Sequence, residues 1–296
     1  MPLRRWSARR APRGTIPTMS AESSGMRARY DRAARRYGTW WSPVLEPTAR
    51  RVLERVDPKA VAGAPAILDV GTGTGTLAFA ALRRWPGATI TGIDASGGML
   101  REARGRAERL PAADRSHITF QVAEADRLPF PDRSFDVAVS SFVLQLVPDR
   151  SAALREVARV LRPGGMLAFV TWMTSRQSFP PDEAFFDVVD ELELPDDDRE
   201  EDRSGDFASA REANRELRDA GYRSIDARRD WLDHAWDPAQ YADFLEQYGE
   251  YELFRSLPRR LRLELSERTR ERLGELPAEA FRWRAPVVMV TARRPA

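Results

Sequence analysis

The chain has 296 residues, 47 basic and 45 acidic side chains, a formal net charge of +2, and no cysteine. That length can bury a full core in one or two domains, while the absence of cysteine excludes disulfides, thiolate metal sites and a cysteine nucleophile. No apolar run reaches membrane-spanning length, and Lys59 is the sole lysine, so the arginine bias reads as base composition rather than phosphate binding.

Residues 1–25 read as a separate, disordered basic segment. Arg4, Arg5, Arg9, Arg10 and Arg13 stand among three prolines with no acid before Glu22. An Arg-rich, acid-poor start also suits a transit peptide, but Pro2, Pro12 and Pro17 spoil a long amphipathic helix. Met19 and Met26 offer alternative starts, and no secretory apolar region is present, so a cytoplasmic location is expected. Residues 26–296 read as one doubly wound α/β domain: cap helices over 26–60, a core over 61–173, and insertions over 174–207 and 232–280. In the cap, Tyr30 and Tyr37 lie seven residues apart on one helix face, a spacing that suits packing.

The stretch AILDVGTGTG, Ala66 to Gly75, is a short apolar strand, Asp69 within it, and glycines at 71, 73 and 75. Glycine lets a backbone turn sharply and approach a ligand, and the amphipathic stretch from Thr76 starts a helix whose free amides point back at the loop. This is a nucleotide-type binding corner. Thr76 stands where the dinucleotide fingerprint wants a third glycine, which argues against a pyrophosphate on the helix start and against a nicotinamide dehydrogenase. A second strand, Ala88 to Ile93, ends on Asp94, about twenty residues past the glycines, where an acid suits a ribose with free hydroxyls. The bland alternative for Asp94 is a helix cap.

His117 to Val122 reads as a third strand, with AEADRLPFPDRSFD after it, and Asp136 to Ser140 as a fourth. A helix follows with Leu154, Val157 and Leu161 on one face, then LRPGG and a fifth strand, MLAFVTW. Beyond it, an apolar patch (Phe185, Phe186, Val189, Leu192) precedes a dense acidic run best read as a solvated loop without metal-ligand spacing. A helix through Leu217 ends at Ala220-Gly221, and Tyr222 to Arg228 reads as a sixth strand. Residues 236–274 read as helical, with Tyr241, Phe244, Tyr248, Tyr251 and Phe254 as a stripe that suits core packing or a lid. Phe281 to Thr291 completes the set as a last strand.

In order and spacing these motifs resemble the class I S-adenosylmethionine-dependent methyltransferases, most closely the branch of quinone-biosynthesis and bacterial small-molecule methylases. The likeness runs from about Tyr30 to Trp172 and resumes at the C-terminus. It implies a Rossmann-like seven-stranded sheet with an antiparallel last strand and helical lid insertions, with S-adenosylmethionine as cofactor. It further implies that Asp69 and the backbone of Gly71, Gly73 and Gly75 hold the methionine part and that Asp94 holds the ribose. Ala95 and Met99 would pack on the adenine, and Glu124, with the Ala125 backbone, would take its amino group, Asp126 standing in reserve. Ser140 would contact the cofactor's amino end, and YDRAARRY would lay Tyr30 and Tyr37 over it.

The expected activity is in-line methyl transfer to an O, N or C atom of a small acceptor, apolar or aromatic, with neither nucleic acid nor metal involved. The missing cysteines exclude arsenite methylation and cysteine-assisted pyrimidine methylation. Ser140-Ser141-Phe142-Val143 stands where amino-methylating nucleic-acid enzymes carry Asn/Asp-Pro-Pro-aromatic, and no basic, aromatic-laced face is evident. The alternatives are a fold relative performing decarboxylation or hydroxylation, or a cofactor-binding pseudoenzyme. If a base is needed, His234 is the candidate, ahead of His117, whereas Gln145 occupies a position where relatives often carry His.

Overall fold

The computed structural model describes residues 23–61, 63–195 and 205–296. The basic start up to residue 22 and the acidic run over 196–204, on which the expected disorder and the solvated loop largely fall, lie outside the described residues. Along the chain run α1 (Ser23–Arg36), a π-helical turn (Tyr37–Trp41), α2 (Ser42–Glu54), β1 (Ala66–Val70), α3 (Thr76–Arg84), β2 (Thr89–Asp94), α4 (Gly97–Ala107) and α5 (Ala112–Arg115). There follow β3 (Ile118–Val122), β4 (Phe135–Ser141), α6 (Arg150–Val160), β5 (Leu161–Trp172), α7 (Pro180–Glu191), α8 (Ala210–Asp219) and β6 (Arg223–Ala235). The last elements are α9 (Pro238–Phe244), α10 (Tyr251–Ser256), α11 (Arg259–Gly274) and β7 (Arg282–Arg293).

Chain contacts gather the described residues into two compact units. Of the described residues, the larger holds 23–61, 63–174, 205–232 and 286–296, and the smaller holds 175–195 and 233–285. The larger is built on a seven-stranded sheet in the order β3-β2-β1-β4-β5-β7-β6. The strands β1 to β5 are parallel to their neighbours, and β7 runs antiparallel to β5, pairing Met166 with Arg293 through Trp172 with Val287. This is the Rossmann-like doubly wound sheet with a reversed strand near its end. Parallel strands covered on both faces read as continuous apolar runs. Ile67, Leu68, Val137, Val139, Leu167 and Phe169 are accordingly all fully buried.

Strand order reverses between β1 and β4, where Val70 pairs Ile93 on one side and Ser140 on the other. A crevice opens outside the carboxyl ends of strands at such a switch point. The helices covering the sheet present small and branched residues, among them Leu154 and Val157 of α6 and Ala213 and Leu217 of α8. Tyr222 is fully buried, and its hydroxyl donates to the Leu154 carbonyl at 3.1 Å. Past the end of α8, Gly221 adopts φ 94° and satisfies the Arg218 carbonyl.

Three element limits differ from the sequence reading. Leu161 belongs to β5 rather than to the α6 face, pairing with Phe135. Pro163 disfavours the helical region at Arg162, and the helix ends at Val160 with the strand beginning at once. β6 runs on past Arg228 to Ala235, taking His234 with it. The helical stretch over 236–274 is three α-helices, interrupted by a π-turn at Leu245–Gly249 and by Pro258.

In the smaller unit the aromatic stripe forms a core. Tyr241, Phe244 and Phe254 are buried, as are Phe179, Phe185, Val189 and Phe281, while Phe186 and Leu192 are half-buried. Tyr241 stacks edge-on against Phe179 and donates its hydroxyl to the buried Asp182 carboxylate. A buried carboxylate needs such a donor, since desolvation without one costs several kcal/mol.

Candidate functional site

The loop after β1 is held by neighbouring strands and by bonds of its own. Gly71, Gly73 and Gly75 all have positive φ, at 68°, 55° and 85°. Thr72 donates its amide to the Ile93 carbonyl at 2.7 Å, and Gly75 donates to the Thr72 carbonyl at 2.8 Å. At Gly71 the requirement is steric as well as conformational: an added Cβ would stand 2.3 Å from a Val143 methyl. The third-glycine position is filled by Thr76, whose hydroxyl lies 2.6 Å from that of Ser42.

Asp94, at the tip of β2, ties the loop to the start of α4. One carboxylate oxygen accepts from the Gly73 amide and the other from the Ser96 amide, each at 2.8 Å. Burial, with Asp31 and Glu124 nearby, pushes its carboxyl up to about 6. Each carboxylate oxygen can accept more than one hydrogen bond, so Asp94 keeps acceptor capacity for a ligand's hydroxyls. Asp69 is buried beneath the loop, accepts from the Thr72 hydroxyl at 2.7 Å, and is pushed by burial up to about 7.

A cavity within the larger unit opens over this loop. Its walls include Tyr30, Tyr37, Gly71, Gly73, Asp94, Ala95, Met99, Glu124 and Ala125, together with the reserve residue Asp126. Burial pushes the Tyr30 hydroxyl up to about 12 and that of Tyr37 higher still, so both stay protonated donors. Asp69, Gly75 and Ser140 do not line the cavity. Ser140 spends its hydroxyl on the Val70 carbonyl at 2.8 Å, and the wall at the end of β4 is made by Ser141, Phe142 and Val143.

Other wall residues are not singled out from the sequence: Ser42 and Glu46 from α2, Thr74 between two of the loop glycines, and Leu146 after β4. The Thr74 hydroxyl is buried with no hydrogen-bond partner, an unspent polar group on a cavity wall. Phe142 has φ 57°, and its carbonyl accepts from the Gln145 side-chain amide at 2.9 Å. Thr171 in turn donates its hydroxyl to the Gln145 amide oxygen. Gln145 is therefore occupied in holding a left-handed turn.

His234 belongs to the smaller unit, where its ring stands edge-on to Trp236 at 4.5 Å. Burial moves its pKa below the usual histidine range, with Asp233 opposing the shift, so the imidazole is neutral at pH 7. His117 directly precedes β3, and its carbonyl accepts from Ile90. Among the described residues no group of three His, Cys, Asp or Glu side chains is placed to hold a metal, and no helix is long and apolar enough to cross a membrane.

A methyltransferase-domain family model matches residues 68–169, the segment from the middle of β1 through Phe169 of β5. The ubiquinone/menaquinone biosynthesis C-methyltransferase of Geotalea daltonii is 38% identical over 150 residues, covering 50% of this chain and 63% of that one. Methyltransferase GfsG of Streptomyces halstedii is 39% identical over 140 residues, covering 45% and 48%. The chain thus spans about half the length of the curated relatives it matches. Among solved structures, phosphoethanolamine N-methyltransferase 2 of Haemonchus contortus, in complex with S-adenosylhomocysteine, superposes with a TM-score of 0.57 at 19% identity, over 94% of this chain and 61% of that one. The [4+2]-cyclase SpnF superposes with a TM-score of 0.51 at 23% identity, over 85% and 82%. The matched segment, the strand order and the glycine loop agree: residues 68–169 form a methyltransferase domain on a Rossmann-like sheet.

Proposed function

We propose that the cavity binds S-adenosylmethionine and that the protein, acting in the cytoplasm, transfers its methyl group to an O, N or C atom of a small apolar or aromatic acceptor. The observation that carries this reading is Asp94, which lines the cavity from the tip of β2, beside the β1/β4 switch point, with acceptor capacity to spare. In this reading Asp94 holds the ribose hydroxyls, the loop from Gly71 to Gly75 and the Ser140 region hold the methionine part, and Asp69 keeps the loop in place. Ala95 and Met99 contact the adenine, and Glu124 with the Ala125 backbone accepts its amino group. The bound cofactor supplies an already activated methyl group on a sulfonium. The chain's own contribution is to orient the partners and exclude water, a task suited to Tyr30, Tyr37 and the apolar wall of Phe142, Val143 and Leu146.

Titration with S-adenosylmethionine and S-adenosylhomocysteine in a calorimeter tests the cofactor, and labelled methyl transfer to aromatic and quinone-like acceptors tests the reaction. Absence of binding by both compounds would remove the cofactor assignment. Binding without transfer to any acceptor would favour the non-methylating alternative.

Because burial pushes the Asp94 carboxyl up to about 6, affinity for S-adenosylhomocysteine is expected to weaken as pH falls through that value. The carboxylate accepts charge-assisted hydrogen bonds, and the protonated acid accepts weaker ones. Dissociation constants measured from pH 5 to pH 8 check this, with Asp94→Asn expected to flatten the profile. A second substitution, His234→Ala, is expected to lower turnover roughly tenfold or more if its neutral imidazole serves as general base, with cofactor affinity unchanged. Turnover equal to the unaltered enzyme would reject that role.

A further inference from the structure

The geometry points to Asp31 as a latch that holds α1 closed over the cavity, so that cofactor exchange is gated by release of this helix. The inference rests on the cofactor reading above. Helix α1 contributes Arg27 and Tyr30 to the cavity wall, and the turn that continues it contributes Tyr37. The two tyrosine rings meet edge to face at 6.1 Å.

Among the described residues, a carboxylate of α1 ties the helix to the start of α4. Asp31 Oδ1 accepts from the Ser96 hydroxyl and from the Gly98 amide, both at 2.6 Å. The Ser96 hydroxyl in turn accepts from the Met99 amide at 3.1 Å. A residue of α1 thus caps α4, where exposed amides and the helix dipole favour an anion. These two hydrogen bonds hold the Asp31 carboxyl below the usual carboxylate range.

The backbone is matched to this contact. A Cβ on Gly98 would stand 2.6 Å from the Asp31 carbonyl oxygen and 2.7 Å from its Cα, so only glycine lets α1 sit this close. A second polar contact of α1, at the cavity wall, is weak: Arg27 and Glu124 approach at 3.9 Å with both side chains about half exposed, a setting in which ion pairs contribute little. Ser96 also donates its amide to Asp94. The latch and the proposed ribose ligand therefore share one residue.

Asp31 is on this account a positioning residue, and exchange kinetics separate it from a helix cap that merely adds stability. Association and dissociation of S-adenosylhomocysteine would be followed by surface plasmon resonance on the full chain and on Asp31→Ala, Asp31→Asn and Gly98→Ala. Asp31→Ala is expected to raise the dissociation rate about tenfold, as befits loss of two charge-assisted hydrogen bonds. Association should quicken as well, so the dissociation constant moves less than the off-rate. Asp31→Asn, which keeps a neutral acceptor, should fall between, and Gly98→Ala should shift both rates the same way by displacing α1. Faster amide hydrogen exchange over residues 27–36 in these variants would support the same conclusion. Unchanged rates in Asp31→Ala and Gly98→Ala, or a faster off-rate with no change in association, would overturn the latch. Failure of the unaltered protein to bind would overturn the cofactor reading and the latch with it.

Discussion

Replacing Asp94 by alanine is expected to weaken S-adenosylhomocysteine binding by at least tenfold and on the order of a hundredfold, as removal of charge-assisted hydrogen bonds to a bound diol requires. The loss has two parts. In the proposed complex the carboxylate accepts from the ligand's ribose. In the structure itself it accepts from the Gly73 and Ser96 amides at 2.8 Å, so its removal also frees the glycine loop from the start of α4. Asp94→Asn keeps an oxygen acceptor at about the same place and should lose less. Calorimetric titration of both variants beside the unaltered protein decides the matter. Affinity unchanged in Asp94→Ala would place the ribose elsewhere and leave Asp94 as a structural cap.

The parts legible in the sequence are those in which a residue type is forced by local geometry. The strands β1 and β4 announce themselves as apolar runs because both faces of a parallel sheet are covered, and β2 by its alternation. The loop announces itself because three left-handed positions at 71, 73 and 75 call for glycine. Asp94 is legible from its distance past that loop. What could not be read depends on contacts distant in sequence. The left-handed turn at Phe142 has no glycine to mark it; Gln145 and Thr171 hold it instead, and Thr171 lies 26 residues further along the chain. Ser42 and Glu46 reach the cavity because α2 packs beside the sheet, and no periodicity in α2 distinguishes a cavity wall from ordinary core.

Strand register explains the difference between Ser140 and Ser141. Successive side chains point to opposite faces of a strand, so a one-residue choice at a strand end decides which hydroxyl meets a ligand and which meets the neighbouring strand. Similarly, both the smaller unit's helices and a lid would show an aromatic stripe over 241–254, because burial against any apolar surface selects the same residues. The pairing of Tyr241 with Asp182 across 59 residues of chain is a tertiary fact.

The second large effect is expected at Gly71, and here stability and binding should fall together. An alanine at φ 68° occupies the left-handed region, which costs a residue with a Cβ about 1–2 kcal/mol. Its Cβ would also stand 2.3 and 2.4 Å from the two Val143 methyls and 2.8 Å from the Val143 Cβ, and such overpacking costs roughly 1–3 kcal/mol. At roughly 2–4 °C per kcal/mol for a chain somewhat smaller than this one, Gly71→Ala should lower Tm by several degrees. It should also abolish measurable S-adenosylhomocysteine binding, because Val143 and Gly71 both line the cavity. The two causes can be separated. Val143→Ala in the same chain removes both methyl clashes but leaves the Cβ contact and the backbone strain. The double variant should therefore recover part of the lost Tm and stop short of the unaltered protein. Full recovery would assign the whole effect to the methyl clashes. No recovery would assign it to the backbone at Gly71, and a Gly71→Ala protein with normal Tm and normal affinity would show that this loop does not approach the turn at Phe142 as closely as the structure places it.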